Sequence, residues 1–288
     1  MHTSTAGSLE RAALKAAELG ANTFQIFSAS PRTWRAGKPD PNQIKKLKDA
    51  RERFDLRPLV IHDNYLFNLA AEDPTIRARS IEAFRGGLER ALAIGAEYLV
   101  AHPGSYGAQG LERGIYAVVE SMRAAVHGLD MKGLTILIEN TAGGGTRLGG
   151  RFEELKAMRK MAEKSVDARV GFCLDTCHCL VAGYDIASAE GLRKTVREAD
   201  AVLGLEHVKV MHANDSKTRL GSRRDRHEHI GRGYIGEDGF RRILAHPKLR
   251  TKPFILETPH ASDADARQNM ETLKRLCRRR PTTTSKSN

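Results

Sequence analysis

Short β-rich runs alternate with longer amphipathic stretches along almost the whole chain, and this alternation limits the possible folds more than any other feature. The strand candidates are Thr23–Phe27, Pro58–Ile61, Tyr98–Ala101, Leu134–Ile138, Val170–Leu174, Val208–Met211 and Pro253–Leu256. Around and between them, apolar residues recur at helical spacing in Leu9–Leu19, Gln43–Phe54, Thr75–Ile94, Glu112–His127, Glu153–Glu163, Ala189–Leu203, Asp238–Ala245 and Ala264–Leu276. Strict alternation of this kind implies parallel strands joined by crossover helices. Seven strands are visible, and an eighth has only Met1–Ser4 available, ahead of the helix at Leu9. The reading is an α/β fold, a single (β/α)8 TIM barrel with a truncated first strand. A doubly wound open sheet is the alternative, but no GxGxxG follows the first visible strand. Gly20 and Gly95 stand where helices need a left-handed stop. Residues 1–277 are expected to form one barrel domain, and 278–288 a disordered basic tail.

The chain has 47 Lys and Arg against 35 Asp and Glu, a net charge of +12 over 288 residues. Such an excess favours a polyanionic partner, because Lys and Arg contacts to phosphate release condensed counterions. No apolar run approaches the roughly 20 residues that span a bilayer. The N-terminal MHTSTAGSLE lacks the basic and apolar regions of a signal peptide. A cytoplasmic, intracellular location with no membrane partner is the expectation. Three of the four cysteines cluster as Cys173, Cys177 and Cys179. No second pair completes a cysteine-only metal site, so reduced thiols are expected.

The chemistry is concentrated at the C-terminal ends of the strands. LVIH ends in His62, YLVAH in His102, TILIE in Glu139, FCLD in Asp175, KVMH in His212 and FILE in Glu257. In a barrel these ends converge on one face, where barrel enzymes place their catalytic groups. One polar residue leaving a strand is ordinary, but six restricted to imidazole and carboxylate form the ligand set of zinc and similar divalent ions. One ion needs three or four such groups, so six imply at least two ions sharing a carboxylate. His178 follows on the adjoining loop, and Asp225 and His227 point the same way if their segment is extended. These three are candidates for a third ion. The basic run Lys217, Arg219, Arg223, Arg224 and Arg226 lies beside them and suits phosphate contact.

At these positions HDNYLFNLA, HPGS, IENTAGGG, CLDTCHCLVAGYD, HANDSK, DRHEHIGRGYIG and LET resemble, in order, the motifs of the endonuclease IV family of abasic-site endonucleases. The resemblance extends from His2 to about Glu257. It implies three zinc ions: His62 and His102 on the first, Glu139 bridging it to the second as the central catalytic ligand, and Asp175, His212 and Glu257 completing the second. His178, Asp225 and His227 match the third set. It also implies hydrolysis of double-stranded DNA 5′ to an abasic site, giving 3′-hydroxyl and 5′-deoxyribose phosphate ends with no side-chain nucleophile; a monomer is expected, because a single-sided active face suffices for DNA. Arg32, Tyr65 and Leu66 match loops that probe the minor groove, while Arg226 is a candidate DNA contact through the basic run beside the third set. Two departures stand out: Met1-His2 replaces a full first strand, predicting a gap in the barrel's hydrogen bonding, and Ser8 replaces a glycine, where it is expected to cap the next helix. The rival readings are a metal-dependent sugar isomerase or epimerase on the same barrel and a non-catalytic nucleic-acid-binding barrel. The third ligand set argues against the first, and retention of all nine donors against the second.

Overall fold

The computed structural model describes residues 1–28, 34, 37, 39–64, 66–259 and 262–278. One parallel sheet runs through β1 (Phe24–Phe27), β2 (Leu59–His62), β3 (Tyr98–Ala101), β4 (Thr135–Glu139), β5 (Arg169–Asp175), β6 (Val208–Ala213) and, beyond a short hairpin, β9 (Phe254–Leu256). Helix α1 (Leu9–Glu18) precedes it, and α2 (Pro41–Arg53), α3 (Pro74–Ile94), α4 (Leu111–Val126) and α5 (Phe152–Ser165) link the first five strands. The loops beyond β5 and β6 carry α6 (Thr176–Ala182) and the hairpin of β7 (Asp215–Ser216) with β8 (His227–Glu228). The remaining helices are α7 (Ala189–Leu203), α8 (Gly236–Ala245) and α9 (Asp263–Cys277). No helix is long and apolar enough to cross a membrane, among the described residues.

The expected gap at the eighth strand position is filled by Met1–Thr3. On one side Thr3 N–H donates to the Gln25 carbonyl at 2.8 Å and Gln25 N–H to the Met1 carbonyl at 2.9 Å. On the other, His2 N–H donates to the Leu256 carbonyl at 2.9 Å. Three residues therefore join β1 to β9, and this closed (β/α)8 TIM barrel leaves no strand edge open at that seam. Ser8 caps α1 by accepting from Arg11 N–H, in an extended conformation that a side chain adopts without strain. Gly20 and Gly95 take the left-handed conformation where their helices stop, at φ +68° and +72°.

Period-two alternation divides each strand between two cores. Outward residues such as Phe24, Ile26, Leu59, Ile61, Ile136 and Phe172 are fully buried under the helices. Inward residues fill the barrel with one layer, Val60, Val100, Leu137, Cys173, Val210 and Ile255. Each buried side chain of this size stabilises the fold by roughly 1.5–3 kcal/mol. Two residues further along every one of those strands, on the same inward face, stand His62, His102, Glu139, Asp175, His212 and Glu257. The packed layer is thus the floor on which the next layer rests.

Candidate metal centre

Glu139, fully buried at the end of β4, is the centre of this upper layer. Its two oxygens face different partners. Oε2 lies 3.3 Å from His62 Nε2 and 3.0 Å from His102 Nε2. Oε1 lies 2.8 Å from His212 Nδ1 and 3.5 Å from His178 Nδ1. Glu257 stands opposite, with Oε2 3.2 Å from His212 Nδ1 and Oε1 4.0 Å from His62 Nε2. A second group gathers over the ends of β5 and β6. Asp225 presents Oδ2 to His178 Nε2 at 3.1 Å and Oδ1 to His227 Nε2 at 3.3 Å. Asp175 joins the two groups, 3.8 Å from His227 Nε2 and 3.9 Å from His178 Nδ1. His178 lies within helix α6 rather than on a loop, because the Asp175 carboxylate caps that helix by accepting from His178 N–H at 2.8 Å. Asp225 and His227 do point the same way, as extended spacing requires.

The ring nitrogens turned away from these contacts explain what the centre needs. His62 Nδ1 is 2.8 Å from the Asp63 carbonyl, His178 Nδ1 2.9 Å from the Asn140 carbonyl and His227 Nδ1 3.1 Å from the Glu257 carbonyl. His212 Nε2 is 2.9 Å from Gln25 Oε1. A carbonyl only accepts, so each of these nitrogens carries the proton, and a neutral ring turns a lone pair on its other nitrogen toward the carboxylates. Lone pairs facing carboxylate oxygens at these separations repel unless a cation lies between them. Donors about 2.0–2.1 Å from one tetrahedral ion are themselves about 3.3 Å apart, and the separations here bracket that value, from 2.8 Å for His212–Glu139 to 4.0 Å for His62–Glu257. His227 Nε2 is moreover buried without a hydrogen-bond partner among the described residues. The donor set therefore fits divalent metal ions.

Protonation energetics carry the same message. Burial opposes charge on Glu139, yet His212, His102 and His178 outweigh it and hold the carboxyl well below its usual range. Glu257 is also held well below that range, burial being overcome by His212, His2 and His62. For Asp225, burial is outweighed by His178 and His227, and the value falls to about 2. His62 rises to about 9, burial again losing to Glu139 and Glu257. Where no other cation sits between the facing groups, protons are drawn in. The cysteines behave differently, since burial pushes Cys177 and Cys179 up to about 12 and Cys173 well above its ordinary value. All three are free and buried.

Residues 13–276 match the family described as a xylose isomerase-like TIM barrel. Probable endonuclease 4 of Solibacter usitatus (strain Ellin6076) is 62% identical over 276 residues, covering 96% of this chain and 95% of that protein. Probable endonuclease 4 of Halothermothrix orenii is 42% identical over 265 residues, covering 92% and 94%. Endonuclease IV from Thermus thermophilus matches in structure with a TM-score of 0.84 and 39% identity, over 96% of this chain and 97% of that one. The chain belongs to the endonuclease IV family.

In this endonuclease IV member, a cavity of about 380 Å³ opens directly onto the centre, walled by His62, His102, His178, Asp225, Leu66 and Arg147 among others. Leu66 is 39% exposed on its rim, suited to meeting a partner from outside. Lys217, Arg219, Arg223, Arg224 and Arg226 are all exposed beside the β7–β8 hairpin. Arg32, Tyr65 and residues 279–288 lie outside the described residues. Sequence reasoning missed the residues that orient the donors. Gln25 donates to Glu257 Oε1 while accepting from His212, and His2 Nδ1 lies 3.0 Å from Gln25 Nε2. Asn140 accepts from Asp175 N–H, and Asn214 binds the Asp175 carboxylate and Glu257 N–H. Asp215, fully buried, accepts backbone N–H bonds from Ser216, Gly231, Gly233, Ile235 and Gly236, pinning the loop beyond β8. A signal was present for Gln25, the lone polar residue in the strand FQIF.

Proposed function

We propose that this endonuclease IV family member is a zinc-dependent DNA-repair endonuclease that hydrolyses the phosphodiester bond 5′ to an abasic site in duplex DNA. Its products would be a 3′-hydroxyl and a 5′-deoxyribose phosphate, and it would act as a monomer. The observation that carries the reading is the buried Glu139, whose two oxygens serve separate groups of donors, with His62, His102 and His178 among them lining an open cavity. The named relatives, both probable endonuclease 4, support the DNA-cleaving class.

His62, His102 and Glu139 would hold one ion, Glu139, Asp175, His212 and Glu257 a second, and His178, Asp225 and His227 a third. When bound, such ions supply hydroxide at neutral pH and offset charge on the attacking and leaving oxygens. The side chains do the rest. The carbonyl partners of His62, His178 and His227 fix the ring tautomers, so donor atoms are aligned before substrate arrives. Leu66 at the rim would press on the duplex where the missing base leaves stacking cheapest to break, with Arg32 and Tyr65 assigned to the same task. Arg226 and its basic neighbours would grip backbone phosphates. A sugar isomerase on this scaffold would have no use for either the basic rim or the third donor set.

The test is incision of a labelled duplex carrying one abasic site by zinc-loaded protein, with an undamaged duplex and Glu139→Gln as controls. A single nick 5′ of the lesion, absent from both controls, and about three zinc per chain by elemental analysis are expected. Zinc-loaded protein that leaves the lesion strand intact would sink the reading, and sugar isomerisation would be assayed next.

A further inference from the structure

A second cavity, of about 320 Å³, adjoins the one over the metal centre. The two share Ala142 and Arg147 in their walls, so Arg147 stands on the sill between them. The second cavity also carries Arg151 and Arg223, with Glu154 and Glu198 as its acidic residues. Arg151 is drawn toward Glu153 at 3.6 Å, whereas neither Arg147 nor Arg223 has a carboxylate partner among the described residues. Glu154 is already engaged, accepting from Gly149 N–H at 2.7 Å. The cationic capacity of the cavity thus lies with two exposed guanidinium groups.

The backbone holds those two groups in place. A Cβ on Gly144 would lie 2.9 Å from the Arg223 carbonyl, and one on Gly150 would lie 2.5 Å from Gly143 Cα, so only glycines let these loops approach so closely. Arg223 takes φ +55°, a left-handed conformation that is strained for a residue with a Cβ. Its N–H donates to the Val181 carbonyl at 2.9 Å, and Gly221 N–H to that of Leu180 at 3.0 Å, tying the strained turn to α6. Strain retained beside a functional centre and backed by such contacts has a use to be looked for.

We propose that this second cavity is a phosphate subsite in which Arg147 and Arg223 grip a backbone phosphate neighbouring the scissile one on the cut strand. The inference rests on the DNA-cleaving reading above. Successive phosphates of one strand advance by about 3.4 Å along the duplex axis, so a cavity sharing a wall with the reaction cavity is within reach of the adjoining linkage. Guanidinium groups match phosphate geometry through paired N–H donors, which suits them to clamping the strand in register. Arg147 is the only Lys or Arg lining the first cavity among the described residues, and it lines the second as well.

The test neutralises phosphates one at a time. Duplexes with a single abasic site carry one methylphosphonate at each of the three linkages on either side of the scissile bond. Wild type, Arg147→Gln and Arg223→Gln are compared for equilibrium binding by fluorescence anisotropy and for incision. For wild type, neutralising one linkage is expected to weaken binding about tenfold, with the incision loss falling chiefly on KM. Arg147→Gln shows a similar loss on the unmodified duplex, becomes indifferent to neutralisation at that linkage alone, and lowers the salt slope of binding by about one. Wild type that binds and cuts the unmodified duplex but is indifferent at every linkage overturns the subsite alone. So does Arg147→Gln that stays as sensitive as wild type. Protein that neither binds nor cuts overturns the subsite together with the function.

Discussion

The two halves of the metal centre are built by different means. His62, Glu139, Asp175 and His212 are at most 4% exposed, set by strand register two residues above a packed apolar layer. Asp225 and His227 have side chains 37% and 20% exposed, and they hang on a hairpin whose loop is pinned by the Asp215 carboxylate. Moving a barrel donor means shifting a strand against six interdigitated side chains, whereas moving a rim donor means only loosening a loop. The rim half is therefore the one more easily adjusted, and the one expected to release its ion first. Chelation should remove about one ion quickly and the others slowly.

The change that erases the distinction is Glu139→Gln. An amide retains the shape but presents only one acceptor oxygen and no charge to two groups of imidazoles. Several kcal/mol of electrostatic stabilisation at about 1.4 kcal/mol per tenfold gives a loss of incision on the order of 10³. Metal content should fall by more than one ion per chain by elemental analysis. A variant within tenfold of wild type would mean that the carboxylate is not shared.

Asp225→Asn should separate the halves. It removes the carboxylate that faces both His178 and His227 while leaving Glu139, His62, His102 and His212 untouched. The expected result is the loss of about one ion, with incision lowered on the order of 10². If all ions leave together, the rim and barrel sets are one cooperative unit and the comparison fails.

The barrel half was legible in the sequence because strand alternation is a local code: the inward residue two positions past Val60, Val100 or Leu137 has to face the same axis. Closure by Met1–Thr3 was not legible, since a bridge of three residues carries no periodicity and its partners, Gln25 and Leu256, are remote in sequence. The rim half showed in the pattern only as three candidates, His178 beside Asp175 and the pair Asp225 and His227 at extended spacing, and the resemblance made them a set. Helix α6 gives no signal of its own, because seven residues following a buried strand are too short a window for helical periodicity. Asn140, Asn214 and Asp215 escaped because their roles depend on partners that only the folded chain brings together, and Gln25 showed only as a polar residue in an apolar strand, with its partners unnamed.

Asp215→Asn probes the support of the rim. Its Oδ2 accepts from Gly231, Gly233 and Gly236, and an amide nitrogen in that place would set donor against donor. Buried donors left without partners cost about 1–3 kcal/mol each. Thermal unfolding should shift down by roughly 5–10 °C, given about 2–4 °C per kcal/mol for a domain of this size. The rim ion should be lost from the folded protein before the barrel ions. An unchanged melting temperature would show that the loop does not depend on this carboxylate.

Gln25→Leu is the gentlest test, because it acts on the barrel half without touching a donor. Gln25 Oε1 accepts from His212 Nε2, and its Nε2 donates to Glu257 Oε1, so one amide orients two donors of the same set. A leucine of similar volume keeps the packing but leaves His212 free to turn and Glu257 without its donor. Loss of such an orienting partner lowers metal affinity by about 10–100-fold. Competition with a chelator should show weaker zinc binding at the barrel set alone, with release from the rim set unchanged and incision recovered at saturating zinc. If saturating zinc does not restore incision, Gln25 aligns the donors for the reaction as well as for binding. If zinc affinity is unchanged, strand register alone fixes these donors, and the contrast between barrel and rim is sharper than the hydrogen bonds imply.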